Sequence, residues 1–177
     1  MADSKGNLYL FEAILLRNEY DRHIKLLEKL IGEDRKIDDR FFSSRNEDNR
    51  EAAPGFNQKE LEEKLEKLKT RKLKINQAIQ AANFKYQIDN EGEKVSIAEA
   101  LEIRKNIISE IETVSQRVID SAYKKIIHKE ERDIVHEPKH SFVKVYDDYQ
   151  DNLKKLRNIV IQIHNINFKS TVNFREE

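Results

Sequence analysis

The six residues EAILLR at 12–17 return as EALEIR at 99–104, an offset of 87 residues. The triplet NFK at Asn83–Lys85 returns at Asn167–Lys169, an offset of 84. A chain carrying one pattern twice is restricted to folds that build one supersecondary unit twice. At the first offset Leu10, Glu12, Ala13, Leu16 and Arg17 match Ile97, Glu99, Ala100, Ile103 and Arg104. Tyr20, Ile24, Leu27 and Ile31 match Ile107, Ile111, Val114 and Val118 in the same frame. At the second offset Leu61, Leu65, Ile75 and Ile79 match Val145, Tyr149, Ile159 and Ile163, and Ile88 matches Val172. Leu68 against Asn152 is a mismatch. Apolar seams resemble one another without common descent. The repeated Glu-Ala-x-x-x-Arg and Asn-Phe-Lys are not apolar, and they stand at the same ends of the same elements, which favours duplication. The repeats span 7–88 and 94–174 of a single domain of 177 residues.

Each repeat reads as two helices. Residues 8–31 carry Leu8, Phe11, Leu15, Leu16, Tyr20, Ile24, Leu27 and Ile31 at helical spacing, and Gly32 is a stop signal. Residues 33–56 lose the period and read as a flexible polar loop, with a helical turn at Phe41 and Phe42. Asn57 and Glu60 open a second helix, whose seam is Leu61, Leu65, Leu68, Lys72, Ile75, Ile79 and Ala82. Tyr86–Ile88 and Glu93–Val95 flank Asp89-Asn90-Glu91-Gly92 as a β-hairpin. Ser96 and Glu99 form a capping box for a third helix, expected to run through Ala122 to about Ile127. Pro138 interrupts the pattern, and a fourth helix restarts near Ser141 with Phe142, Tyr146, Tyr149, Leu153, Leu156, Val160, Ile163 and Asn167. By repeat symmetry Ser170–Phe174 is extended and pairs with Asn7–Leu10.

The fold class is therefore all-α: duplicated helical hairpins form a four-helix, coiled-coil-like bundle with a small β-hairpin at one end. Antiparallel packing sets Arg17 near Asn83 and Arg104 near Asn167. An arginine facing the last turn of a partner helix meets free carbonyls and a negative dipole end. Glu12 and Glu99 supply counter-charge, and Asn83 and Asn167 end their helices in left-handed turns. These six residues read as a structural lock; the alternative is a small-anion or enzymatic site built from the paired Arg and Glu positions.

Charge excludes several functions. Lys plus Arg equals 33 and Asp plus Glu equals 33, whereas a nucleic-acid-binding domain carries a basic excess. Cysteine is absent, which removes disulfides and Cys-ligated metals. No apolar run reaches the ~18 residues of a spanning helix, and the first twenty residues do not form a signal peptide. A cytoplasmic protein with no membrane or nucleic-acid partner fits these limits. His128, His136 and His140, beside Glu130, Glu131, Asp133 and Glu137, match no standard zinc spacing and read as a solvated loop. No phosphate loop or nucleophile elbow is present. No cofactor, metal or catalytic residue is expected.

Four pieces of the chain, LFEAILLR at 10–17, INQAIQAAN at 75–83, VSIAEALEIR at 95–104 and IQIHNINF at 161–168, resemble the septicolysin-like family of small uncharacterised bacterial proteins. The likeness covers nearly the whole chain and departs in the loop at 33–56 and at Phe168. It implies a helical fold and self-association, and it carries no catalytic residues. Its label raises a membrane-active, cytolysin-like alternative, which the lack of a strongly basic amphipathic face does not support. The reading reached here is a non-catalytic structural or interaction module working as a homo-oligomer. Phe11, Leu15, Ile103 and Ile108 are expected to be the exposed apolar positions, and the 33–56 loop offers a further surface to a protein partner.

Overall fold

The computed structural model describes residues 7–40, 53–128, 130 and 132–175, with the side chains of 33–40 left aside. Four long helices account for most of it: α1 (Leu10–Arg40), α2 (Gln58–Lys85), α3 (Ile97–Ser121) and α4 (Phe142–Lys169). Six short strands pair in antiparallel twos. They are β1 (Asn7–Tyr9) with β6 (Thr171–Asn173), β2 (Gln87–Asn90) with β3 (Glu93–Ser96), and β4 (Lys125–Ile127) with β5 (Ile134–His136). The fold is thus mostly α, with a four-helix arrangement.

The chain divides into two compact units, one of residues 1–82 and 168–177 and the other of 83–167. Within the first, α1 and α2 run antiparallel. Leu27 and Ile31 of α1, with Leu65, Leu68 and Ile75 of α2, are among its buried side chains. The polar seam residue Lys72 is matched by Asp21 of α1, Nζ to Oδ1 2.5 Å, and Lys69 by Glu28 at 3.4 Å. The Lys72 hydrogen bond holds the Asp21 carboxyl below its ordinary pKa. Within the second unit α3 packs on α4 around Ala100, Ile159 and Ile163, with Ile88 of β2 joining the cluster.

Both halves build the same strand-to-helix junction. Leu8 pairs with Val172 and Tyr9 with Thr171; Val95 pairs with Ile88 and Ser96 with Gln87. These are equivalent positions in the two repeats. The Leu10 amide donates to the Ser170 carbonyl at 2.8 Å, and the Ile97 amide donates to the Tyr86 carbonyl at 3.0 Å. The closing strand of each repeat therefore pairs with the opening strand of the other. Leu10 and Ile97, the first helical residues, are almost fully buried beneath these pairs. The β2–β3 turn uses Glu91 and Gly92, both at positive φ (54° and 92°), as a two-residue hairpin requires. The Gly92 amide donates to Asp89 Oδ1 at 2.9 Å.

Several expectations need correction. Helix α1 does not stop at Gly32 but continues to Arg40. Gly32 keeps helical backbone rather than positive φ, and the Lys-, Arg- and Glu-containing segment after it lacks a strong breaker. Only about 1 kcal/mol of propensity opposes passage through a glycine. The polar segment is thus helical over its first eight residues. The turn foreseen at Phe41 and Phe42, and residues 41–52 as a partner surface, lie outside the described residues. Helix α3 ends at Ser121, not near Ile127. The Ser121 hydroxyl donates to the Val118 carbonyl at 2.9 Å and the Ala122 amide to the Ile119 carbonyl at 3.2 Å, tightening the last turn. Ile126 and Ile127, β-branched, then pair with Val135 and Ile134. The histidine segment foreseen as loop is thus a strand pair at its base, with His128 Nδ1 2.8 Å from Asp133 Oδ1.

Candidate functional site

Of the six nominated positions, Glu12 and Glu99 stand in the first turns of α1 and α3, Arg17 and Arg104 further along the same helices, and Asn83 and Asn167 in the last turns of α2 and α4. Glu12 and Glu99 are the third residues of α1 and α3, and each turns back on its own helix start. Glu12 Oε2 accepts from the Tyr9 amide at 2.8 Å. Glu99 Oε2 accepts from the Ser96 amide at 2.7 Å while the Ser96 hydroxyl caps the Glu99 amide at 3.2 Å. The Ser96 amide, and after it the Ser96 hydroxyl donating to the same oxygen at 2.8 Å, pull the Glu99 carboxyl below its ordinary pKa. The Ser96–Glu99 capping box is the one the sequence spacing called for; the bond from the Tyr9 amide to Glu12 was not foreseen, and it arises because an N-terminal amide is closer than a neighbouring helix.

The arginines and asparagines are less symmetric in their bonding. The Arg17 guanidinium donates to Asn18 Oδ1 from Nη2 at 3.0 Å. Arg104 Nε and Asn167 Oδ1 are buried without a hydrogen-bond partner among the described residues. Asn83 and Asn167 do not end their helices in left-handed turns: α2 and α4 continue to Lys85 and Lys169, and neither asparagine has positive φ. The chain leaves each helix straight into a strand, and extended backbone replaces the left-handed cap there.

The correspondence between the two halves of the sequence also acts as an internal control for surfaces. A position that the shared fold requires should keep its character in both repeats. Helix α1 breaks that expectation on the side opposite its buried seam. Phe11, Leu15, Leu26 and Leu30 are 37, 52, 55 and 39% exposed, and helical geometry places them within about 100° of arc over about 28 Å. Their equivalents in α3 are Ala98, Glu102, Thr113 and Arg117. Phe168, also exposed, lies against Phe11 with ring centroids 4.6 Å apart. Sequence reasoning found Phe11 and Leu15 and missed Leu26 and Leu30, which fall outside the seam it followed. Ile108 is exposed as expected, but Ile103 packs against the Ala100–Ile163 cluster and is part of the core.

The second repeat differs elsewhere. A shallow cleft of about 560 Å³ between the distal halves of α3 and α4 is lined by Arg117, Asp148, Asn152 and Lys155 among others. Asn152 is buried there in the seam position held by Leu68 in the first repeat. A neighbouring cleft reaches His136 and His140. Among the described residues, no group of three or more His, Asp or Glu side chains could hold a metal ion, and no helix is long and apolar enough to cross a membrane.

No family model and no curated protein matches the chain. Its fold is similar to the crystal structure of a functionally unknown conserved protein from Corynebacterium diphtheriae, with a TM-score of 0.69 and 19% sequence identity. The likeness covers 94% of this chain and 99% of that one. At this identity it shows a shared fold over nearly the whole length.

Proposed function

We propose that the protein is a non-catalytic structural or interaction module of the cytoplasm, a member of the septicolysin-like group, that works by self-association. The observation that carries this is the exposed apolar stripe of α1, present in one repeat and replaced by Ala98, Glu102, Thr113 and Arg117 in the other. The duplicated fold stands without such a stripe in α3, so the α1 stripe serves something other than folding. The membrane-active alternative finds no support in the helices, none of which among the described residues is long and apolar enough to span. The small-anion or enzymatic alternative finds little either, since both carboxylates cap their own helices.

Magnitudes set the kind of association. Two copies meeting through this stripe bury eight large side chains that are already half covered, on the order of 1 kcal/mol each. Loss of translational and rotational freedom costs roughly 4–15 kcal/mol. The balance describes a concentration-dependent oligomer rather than an obligate one. Sedimentation equilibrium from micromolar to millimolar protein is expected to show growth in average mass, and the Leu15→Glu, Leu26→Glu double variant to remain monomeric. A parent protein that stays monomeric across that range refutes the proposal.

A further inference from the structure

The exposed face of α1 reads the same in both directions once charge sign is included. Phe11 and Leu15 lie toward one end and Leu30 and Leu26 toward the other. The position pairs 11 and 30, 15 and 26, 19 and 22, and 12 and 29 are all centred on the same point, between residues 20 and 21. The first two pairs are apolar with apolar. The last two are Glu19 with Arg22 and Glu12 with Lys29, opposite in charge. A helix laid antiparallel on its own copy sets residues so related opposite each other, so this face is self-complementary about a two-fold axis.

We propose that two copies of this chain dock through α1 in antiparallel register about that axis. Phe11 then meets Leu30 of the second copy and Leu15 meets Leu26. Glu19 faces Arg22 across the centre in both directions, and Glu12 faces Lys29 at the flanks. Glu19 and Arg22 are both exposed, and neither has an ion-pair or hydrogen-bond partner among the described residues. Both charges are thus available to a neighbour. Glu12 binds the Tyr9 amide through Oε2 alone, which leaves its other oxygen open to Lys29. The pattern belongs to α1 and is not imposed by the duplicated fold. The α3 equivalents of Glu19, Arg22 and Lys29 are Asn106, Ser109 and Gln116, uncharged throughout. With the apolar contribution close to balancing the association cost, these charges select register and partner.

This register rests on the self-association proposed above, and charge exchange separates the two. Glu19→Lys sets a cation opposite Arg22 twice in a homodimer, and Arg22→Glu sets two carboxylates opposite Glu19. Each single variant is expected to self-associate at least about tenfold more weakly than the parent. The double variant Glu19→Lys, Arg22→Glu restores parental affinity. An equimolar mixture of the two single variants forms a heterodimer that neither forms alone, read by sedimentation after labelling one partner. All these positions are on the exposed helix surface, and circular dichroism confirms that each variant folds. If the parent associates and the single variants associate equally well, or the mixture gains nothing, the antiparallel register is overturned while self-association stands. If the parent does not associate at all, both fall.

Discussion

Asn152 and Leu68 occupy equivalent seam positions, and both are buried. The Asn152 carboxamide has no hydrogen-bond partner among the described residues, but its polar atoms are not among the buried unpartnered ones, because the side chain lines the open cleft between α3 and α4. Replacing it with the residue its own twin uses, Asn152→Leu, extends the apolar seam and is expected to raise stability by about 1 kcal/mol, read as a higher urea midpoint at unchanged slope. An unchanged or lower midpoint would show that the cleft beside Asn152 hydrates the amide well enough to cancel the gain. The same pair marks how far single residues were legible. The mismatch was visible on aligning the repeats, but nothing in the letters showed that Asn152 would be buried at the wall of a cleft it shares with Arg117. Glu99 was recognised both as the capping-box partner of Ser96 and as a counter-charge, whereas Glu12 was read only as a counter-charge and in the structure binds the Tyr9 amide. Spacing fixes which helix turn a carboxylate occupies; it does not decide between an amide three residues back and a guanidinium five residues on. The capping box at Ser96 was legible because its two partners are defined by that spacing alone.

Among the elements, the long helices were the most legible, because each buries a stripe that recurs over many turns. Their ends were less so. Gly32 was read as a terminus, yet α1 passes through it for eight further residues. A Cβ added at Gly32 would meet nothing within 4 Å. Gly32→Ala is therefore expected to stabilise the protein by about 0.5–1 kcal/mol, through reduced backbone freedom of the unfolded chain. Thermal denaturation checks it; a loss of stability would mean that the helix does not continue past residue 32. Gly92 offers the contrast, since its φ of 92° belongs to the hairpin turn and resists any side chain. The β4–β5 pair was missed altogether. Three-residue strands give too short a window for a period of two, and Ile126 and Ile127 continue an apolar helical pattern as well as they begin a strand.

Across the whole molecule, the duplication predicted from EAILLR and NFK corresponds to two junctions with matched strand registers and matched amide-to-carbonyl bonds. The linear pattern called for Ser170–Phe174 to pair with Asn7–Leu10, as β6 and β1 do; it did not convey that the compact units themselves cut across the repeats. The last residues of α4 and strand β6 belong with α1, while the last turn of α2 belongs with α3. Ending the chain after Lys169 should therefore damage the first unit, although the deleted residues adjoin α4 in sequence. It removes Val172 and Phe174, both buried, and the carbonyl that holds the Leu10 amide. The expected loss is on the order of 3 kcal/mol. Hydrogen exchange should quicken in the first turns of α1 while the β2–β3 amides keep their protection. Equal loss of protection in β2–β3 would contradict this assignment of strands.

The pairing of Asn7 with Asn173 has one more implication. Strands β1 and β6 lie as close together as β2 and β3, which the chain joins by only two residues. A comparably short peptide linking β6 back to β1 would close the polypeptide into a ring of two alternating repeats. Opened instead between Glu91 and Gly92, that ring gives a circular permutant in which the second repeat is synthesised first, with every strand partner retained. Which repeat leads is thus a matter of where the ring is cut.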